Sequence, residues 1–363
     1  MLSLLSLFCF IISINIKTVD VSPSFDKKVI AAKLMEKAMS VLKEHRMEQS
    51  FFIDIENDPN ETGLVGGPFS LITTDEGDLD AKLTTLDPNF SAVIVDLMYQ
   101  LNLQSKDTVA VLMTGSMPGA NIAVLTACKA LDLTPISISS IGASQWGANH
   151  IDFTWLDMEK ILFEENLILS RSVAASIGGR NDMGRLLSPR GRSIISDNIS
   201  SHNLPLIKKK RLAENIDERM KKFKSYTSIK SYKAVINVGG GVASLGTSFN
   251  LKLLPPGVVN RSSINTIGRP GGIEGVFSKF INSNVLGLHV LNIRPLVEQF
   301  KMPFAPIPLP GIGEGSLYAI ERYNLWVAAI CLFVVTGGVI LVGIQSKRKI
   351  KEHLIQHEPD SLL

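Results

Sequence analysis

Twenty consecutive residues without a charge, Leu325 to Ile344 (LWVAAICLFVVTGGVILVGI), constrain this chain more than any other feature. At about 1.5 Å of rise per residue such a helix matches the roughly 30 Å hydrocarbon core of a bilayer. Tyr323 and Trp326 stand at one edge, where amphipathic aromatics favour the interface. Lys347, Arg348, Lys349 and Lys351 stand at the other, and a cationic cluster of that kind is retained on the cytoplasmic side. The reading is a transmembrane helix over 323–345 and a basic cytoplasmic tail over 346–363. Everything from Lys17 to Arg322 then lies outside the cytoplasm.

The N-terminal segment 1–16 is also apolar and uncharged, but shorter. It lacks a basic leader and a small-x-small cleavage site, which favours a signal anchor over a cleaved signal peptide. Between the two ends, 17–302 reads as one extracytoplasmic α/β domain, and the Pro/Gly-rich stretch 303–322 as a semi-rigid stalk. Hydrophobic residues make up 45% of the chain and charged residues 20%, which excludes wholesale disorder. A formal charge of +3, mixed in sign, gives no basic face for nucleic acid. The run Lys208–Arg211 reads as a solvated helix start. Cys9 and Cys331 fall in the apolar ends. Cys128 is left alone in the domain, which excludes an internal disulfide or a paired-cysteine zinc site there.

Within the domain, helical spacing over Asp26–Arg46 opens the fold, and Asp58–Pro88, rich in Asp, Asn, Gly, Pro and Thr, reads as extended loop with a hairpin near Asp75–Asp78. Six apolar runs follow: Val109–Met113, Ile136–Ser140, Leu167–Ala174, Leu204–Ile207, Ala234–Val238 and Val285–Leu291. Helical patterns separate them. Thr154 with Asp157 forms a capping box, and Ser188-Pro189 opens another helix. Buried strands alternating with helices predict a mostly parallel, Rossmann-like three-layer sheet, flanked by N- and C-terminal membrane helices.

In such a sheet ligands bind beyond the carboxyl ends of the strands. Four glycine-bearing loops fall there: Gly115–Gly119, Gly142–Gly147, Gly178–Asp182 and Gly239–Gly241. Glycine permits sharp turns that aim backbone N–H groups at an anion, so a carboxylate or phosphate ligand is expected. Ser116 lacks the flanking glycines of a nucleophile elbow, having Thr114 and Pro118 instead; Ser144 has Gly142 before it but Trp146 after. Both serines read as donors to a bound anion, against the plain reading of turn residues. The long loop after Ser140 adds Gln145, Trp146, Asn149 and Asp152. Arg180, Asn181 and Asp182 form a second polar group, and Asn237 stands beside Gly239, Gly240 and Gly241. His150 and His289 lie near strand ends without metal-ligand spacing, and neither a Walker A nor a GxGxxG motif is present. No metal and no cofactor are expected.

Four segments carry a family likeness: DPNETGLVG, ISSIGASQWGANHIDFTWLDME, SRSVAASIGG and INVGGGVASLG. Together they resemble the poly-gamma-glutamate system protein family, bacterial and membrane-associated. The likeness runs along nearly the whole exported domain. Arg180-Asn181-Asp182-Met183 departs from it, standing where further glycines are expected. The resemblance implies a role beside the synthase membrane subunits in making, exporting or anchoring that anionic polymer. It brings no catalytic residue. Two functions follow. One is an accessory domain that binds polymer or synthase, with retention falling steeply in salt. The other is an extracytoplasmic hydrolase or transferase that trims or attaches the polymer, and the sequence displays no complete catalytic set for it.

Overall fold

The structure, a computed structural model, describes residues 2–49, 52–247, 254–266 and 273–356. The end of the expected tail, 357–363, lies outside them. The chain divides into two compact units, Pro23–Tyr318 and a smaller one formed by its two ends.

In the smaller unit, helix α1 (Leu2–Asn15) leads into strand β1 (Lys17–Val21). Strand β1 pairs antiparallel with β11 (Ala319–Tyr323), and Lys17 Nζ meets Glu321 at 2.9 Å. The last helix, α13 (Leu325–Gln356), is long and apolar enough to cross a membrane by length and composition, and its large side chains are exposed: Trp326 81%, Phe333 78%. Exposure of that kind has its physical counterpart in lipid, which solvates apolar side chains where water does not. Helix α1 packs along α13, where Gly338 leaves room for Leu2 and Leu5. Its 14 residues reach only about 21 Å at 1.5 Å per residue, short of a bilayer core.

The larger unit is built on a seven-stranded sheet among the described residues, in the order β7-β6-β3-β2-β8-β10-β9. The strands are β2 (Thr108–Thr114), β3 (Thr134–Ser140), β6 (Ala174–Ser176), β7 (Leu206–Ile207), β8 (Ala234–Val238), β9 (Gly257–Val259) and β10 (Leu286–Val290). A hairpin of β4 (Asn149–His150) and β5 (Phe153–Thr154) stands apart from it. All neighbours in the sheet run parallel except β9, which is antiparallel to β10. The expected mostly parallel sheet is therefore present. Its six strands gain β9 as a seventh, and the expected strand at Leu167–Ala174 contracts to Ala174–Ser176.

Strand periodicity sends alternate residues to opposite faces, and both faces are buried. Val109, Val111 and Met113 enter one core cluster. There they meet α2 (Phe25–Glu48), α4 (Asn89–Gln100) and α5 (Pro118–Ala130). Ala110, Leu112 and Val235 enter a second cluster with α8 (Leu212–Lys224) and α11 (Val276–Asn282), where Phe223, Tyr232 and Phe280 meet edge to face at 5.3–5.9 Å. Between these lie α3 (Leu79–Thr85), α6 (Trp155–Glu164), α7 (Pro189–Ser201), α9 (Val242–Leu245), α10 (Arg261–Thr266) and α12 (Ile293–Glu298). The capping box of Thr154 and Asp157 and the cap at Ser188 form as the sequence predicts.

Two expectations are corrected. Asp58–Pro88 is not all loop, because Asp78 caps α3 by accepting the Ala81 N–H at 3.1 Å, and Leu83 and Leu86 are buried. Residues 303–318 are not a stalk but a strap packed into the larger unit. Ala305 N donates to Thr84 Oγ1 at 2.8 Å, the Arg294 guanidinium covers the Phe304 ring at 3.8 Å, and Tyr318 is fully buried with its hydroxyl on Asn89 Oδ1 at 2.7 Å. Lys28, also buried, holds the end of the strap, reaching Asp96 at 2.6 Å and the Leu317 carbonyl at 2.5 Å. The prolines that suggest an extended spacer here only set an extended path over a surface that Leu317 and Tyr318 anchor. Tyr318→Ala is expected to remove about 3–5 kcal/mol of stability in denaturant unfolding; a free stalk residue would change it by less than about 0.5 kcal/mol.

Candidate functional site

Strand β2 is followed by β3, β6 and β7 to one side, and the chain then returns to place β8 and β10 on the other. Loops leaving β2 and β8 diverge at this reversal, and a crevice opens beyond the carboxyl ends of the strands. It has a volume of about 620 Å³. Its walls are the segment 74–78 and the start of α3, the turn at Thr114–Met117, the Ser140–Ser144 loop, Gly178–Asp182, Gly240–Val242 and Leu291–Ile293.

The loops approach one another backbone to backbone. A side chain on Gly115 would place its Cβ 2.3 Å from the Ile141 carbonyl oxygen. Gly239 has φ of +81°, and a Cβ there would lie 2.3 Å from Thr114 Oγ1. Residues 72–75 run beside 143–145 like an added strand: Ala143 N donates to Ile72 O, Thr74 N to Ala143 O at 2.8 Å and Gln145 N to Asp75 O at 3.0 Å. That pairing lays the polar segment Asp75–Asp78 along the crevice and fixes where α3 begins.

Helix α3 then delivers Lys82, a residue that the sequence reading passed over. Lys82 is 4% exposed, and its ammonium nitrogen hydrogen-bonds the Ser116 carbonyl and, at 2.9 Å, Ser144 Oγ. The Ser144 N–H donates in turn to Ser116 Oγ at 2.9 Å. Burial pushes the Lys82 amine down to about 7, against which nearby Asp78 is a weaker opposing influence. The crevice thus holds a lysine divided between amine and ammonium near neutrality, in contact with a serine hydroxyl.

Beside it, the loop at Gly178–Asp182 is held from below by a buried ion pair. Arg219 Nη2 lies 3.0 Å from Asp182 Oδ2 and also reaches Ser140 Oγ at 2.9 Å and Ser176 Oγ at 2.6 Å. Arg219 Nε and Nη1 have no partner among the described residues. The pair neutralises Asp182. The remaining charges on the walls are Lys82 and Arg180 against Asp75, Glu76 and Asp78.

The crevice brings together Ser116, Ser144, Arg180, Asp182, Gly240 and Gly241 of the expected residues. Others are engaged elsewhere. Asn149 is 1% exposed and staples the preceding segment, donating to Gly67 O at 2.8 Å and Thr73 Oγ1 at 3.0 Å while accepting the Gly67 N–H at 3.0 Å. Gln145 accepts the Gly77 N–H at 3.2 Å, and Trp146, at φ of +62°, packs against the core. Asp152 is exposed on the β4–β5 hairpin, and Asn181 uses its carbonyl to accept from Asn215 at 3.3 Å. Asn237 lies beneath Gly239, donating to its carbonyl at 2.8 Å and to His289 Nδ1 at 3.1 Å. Burial pushes His289 down to about 4, so its ring is neutral, with Nε2 lacking a partner among the described residues. These six residues and Gly239 do not line the crevice. Among the described residues no cluster of three or more His, Cys, Asp or Glu could hold a metal ion.

Comparison with protein-family models, with curated proteins and with solved structures returned no match. The chemistry of the crevice therefore rests on its geometry. The lysine missed in the sequence had one signal: Leu79, Leu83, Leu86, Phe90, Val93 and Leu97 recur at helical spacing across Asp87-Pro88. That spacing converts part of an apparent loop into helix and places Lys82 one residue before a buried position.

Because Lys82 has its pKa lowered from 10.5 to about 7 on folding, the unfolded chain binds the extra proton between those values. Stability then rises with pH across that window. Urea unfolding of the full chain in detergent is expected to show this rise from pH 7 to 10 in wild type and a smaller one in Lys82→Met; equal slopes in the two proteins would count against a buried, depressed amine.

Proposed function

We propose that this chain is a membrane-anchored accessory component of a bacterial poly-gamma-glutamate synthesis and export system. Its α/β unit stands outside the cytoplasm and binds the polymer in the crevice. The observation that carries the reading is Lys82, a cation-capable side chain at the wall of a crevice that the glycine loops surround. A gamma-linked chain offers one free carboxylate per unit, the partner that a partly desolvated ammonium selects. Support for the sidedness comes from the apolar α13 followed by Lys347, Arg348, Lys349 and Lys351.

The charges on the walls refine the reading. Asp75, Glu76 and Asp78 oppose Lys82 and Arg180. A long polyanion laid across such a surface is repelled as much as attracted, so the crevice takes one unit or a chain end. Salt dependence is then shallow, unlike the steep fall that a basic groove would give. The exported domain faces synthase membrane subunits in the same membrane, which are the proposed protein partners.

Two measurements address this. Full-length protein in detergent, immobilised, is expected to retain poly-gamma-glutamate, with Lys82→Met weakening retention by about tenfold or more as a charge-assisted hydrogen bond is lost. Raising salt from about 50 to 500 mM should change wild-type retention by less than that factor. Absence of retention at any salt removes polymer binding. Protease added to intact cells is expected to digest 23–318 and spare the segment after Ile344; digestion confined to that segment would invert the topology.

A further inference from the structure

The crevice has the parts for bond cleavage as well as binding. A serine hydroxyl is a weak nucleophile until a base takes its proton, and a lysine amine can be that base only when it is neutral. Ser144 Oγ and Lys82 Nζ are 2.9 Å apart on the crevice wall, with Ser144 7% exposed and Lys82 4% exposed. From this geometry we infer that the crevice is an acyl-transfer site, with Ser144 as nucleophile and Lys82 as its general base, acting on an amide or ester of a carboxylic acid.

The surroundings suit the two roles. The Ser116 carbonyl accepts one Lys82 N–H, which directs the amine, and Ser116 Oγ accepts the Ser144 N–H at 2.9 Å, which fixes the backbone that carries the nucleophile. Among the described residues no histidine lines the crevice: His289 is buried beneath the Gly239 turn and touches Asn237, and His202 is joined to Asp157 at 2.7 Å on α6. Burial brings the Lys82 amine to about 7, so about half of it is unprotonated at neutral pH, where an ordinary lysine would be nearly all ammonium.

The reaction balances without another reactant than water or an acceptor. Ser144 Oγ attacks the acyl carbon while its proton passes to Lys82 Nζ. The tetrahedral adduct collapses, the bond from carbon to the leaving nitrogen or oxygen breaks, and the leaving group takes the proton from Lys82. The product is an ester on Ser144. Water then attacks that ester to release a free acid, or an amine or hydroxyl attacks to transfer the acyl group; Lys82 takes the attacking proton and returns it to Ser144. For a gamma-linked glutamyl polymer the bond broken is the side-chain amide. This deepens the proposed binding role by using the same crevice, and it does not depend on which polymer binds there.

The test uses full-length protein in detergent and a biotinylated alkyl fluorophosphonate, which phosphonylates an activated serine with loss of fluoride. The expected adduct is on Ser144 by peptide mass spectrometry. Its rate of formation should rise about tenfold from pH 6 to pH 8, the increase in free-amine fraction of a group that titrates near 7. No adduct, an adduct on a different residue, or a rate flat across that range overturns the inference, and none of these needs a variant to fold. Retention of poly-gamma-glutamate is measured on the same wild-type sample. Retention without an adduct removes the catalysis and leaves the binding role; an adduct without retention keeps acyl transfer and removes that polymer as the ligand.

Discussion

Parallel pairing of β2 with β3 on one side and β8 on the other is the constraint from which the site follows. Parallel strands cannot be joined by tight turns, so every connection must cross a face of the sheet, and helices bury both faces. Where the chain reverses direction beside β2, successive loops part and leave a space that no core side chain fills. The crevice is thus a consequence of strand order before it is a property of any residue in it. Its walls then depend on close backbone approach, and Gly115 and Gly239 occupy positions where a Cβ would meet Ile141 and Thr114.

Electrostatics in the crevice is set by burial more than by the number of charges. Asp182 is cancelled by Arg219 beneath the floor, and Arg180 shares the walls with the acidic segment Asp75–Asp78. What distinguishes the site is one lysine with little water around it. Desolvation disfavours the ammonium, and a carbonyl, a hydroxyl and the nearby charge of Asp78 compensate only in part. An amine so placed suits a carboxylate when protonated and a serine proton when not, so the proposed binding and the proposed acyl transfer draw on two protonation states of one arrangement.

Much of the frame was legible in the chain because it rests on local rules. The run Val109–Met113 is apolar at every position and Ala234–Val238 at every position but Asn237, which marks strands buried on both faces, and the caps at Thr154 and Ser188 depend on residues three apart. The serines and the glycine loops were legible as well, since a glycine after a parallel strand points to the ligand-binding end of the sheet. Asn149, Gln145 and Asn237 misled because a polar side chain in a loop looks alike whether it faces a ligand or a backbone carbonyl. Asn149 makes all three of its side-chain hydrogen bonds to the segment 67–73, more than 70 residues earlier in the chain.

By itself the sequence determined the helix that is long enough to cross a bilayer, the alternation of strand and helix, and the end of the sheet where the crevice opens. Each of these is written in hydrophobic periodicity or in residues a few positions apart. Tertiary structure alone decided that Lys82 meets Ser144, that Arg219 neutralises Asp182, and that 303–318 is a strap anchored by Tyr318. Those pairs are 62, 37 and, for Tyr318 with Asn89, 229 residues apart. Contacts at such separations are fixed by how the sheet folds back on itself, and a lysine acquires unusual chemistry only when that folding removes its water.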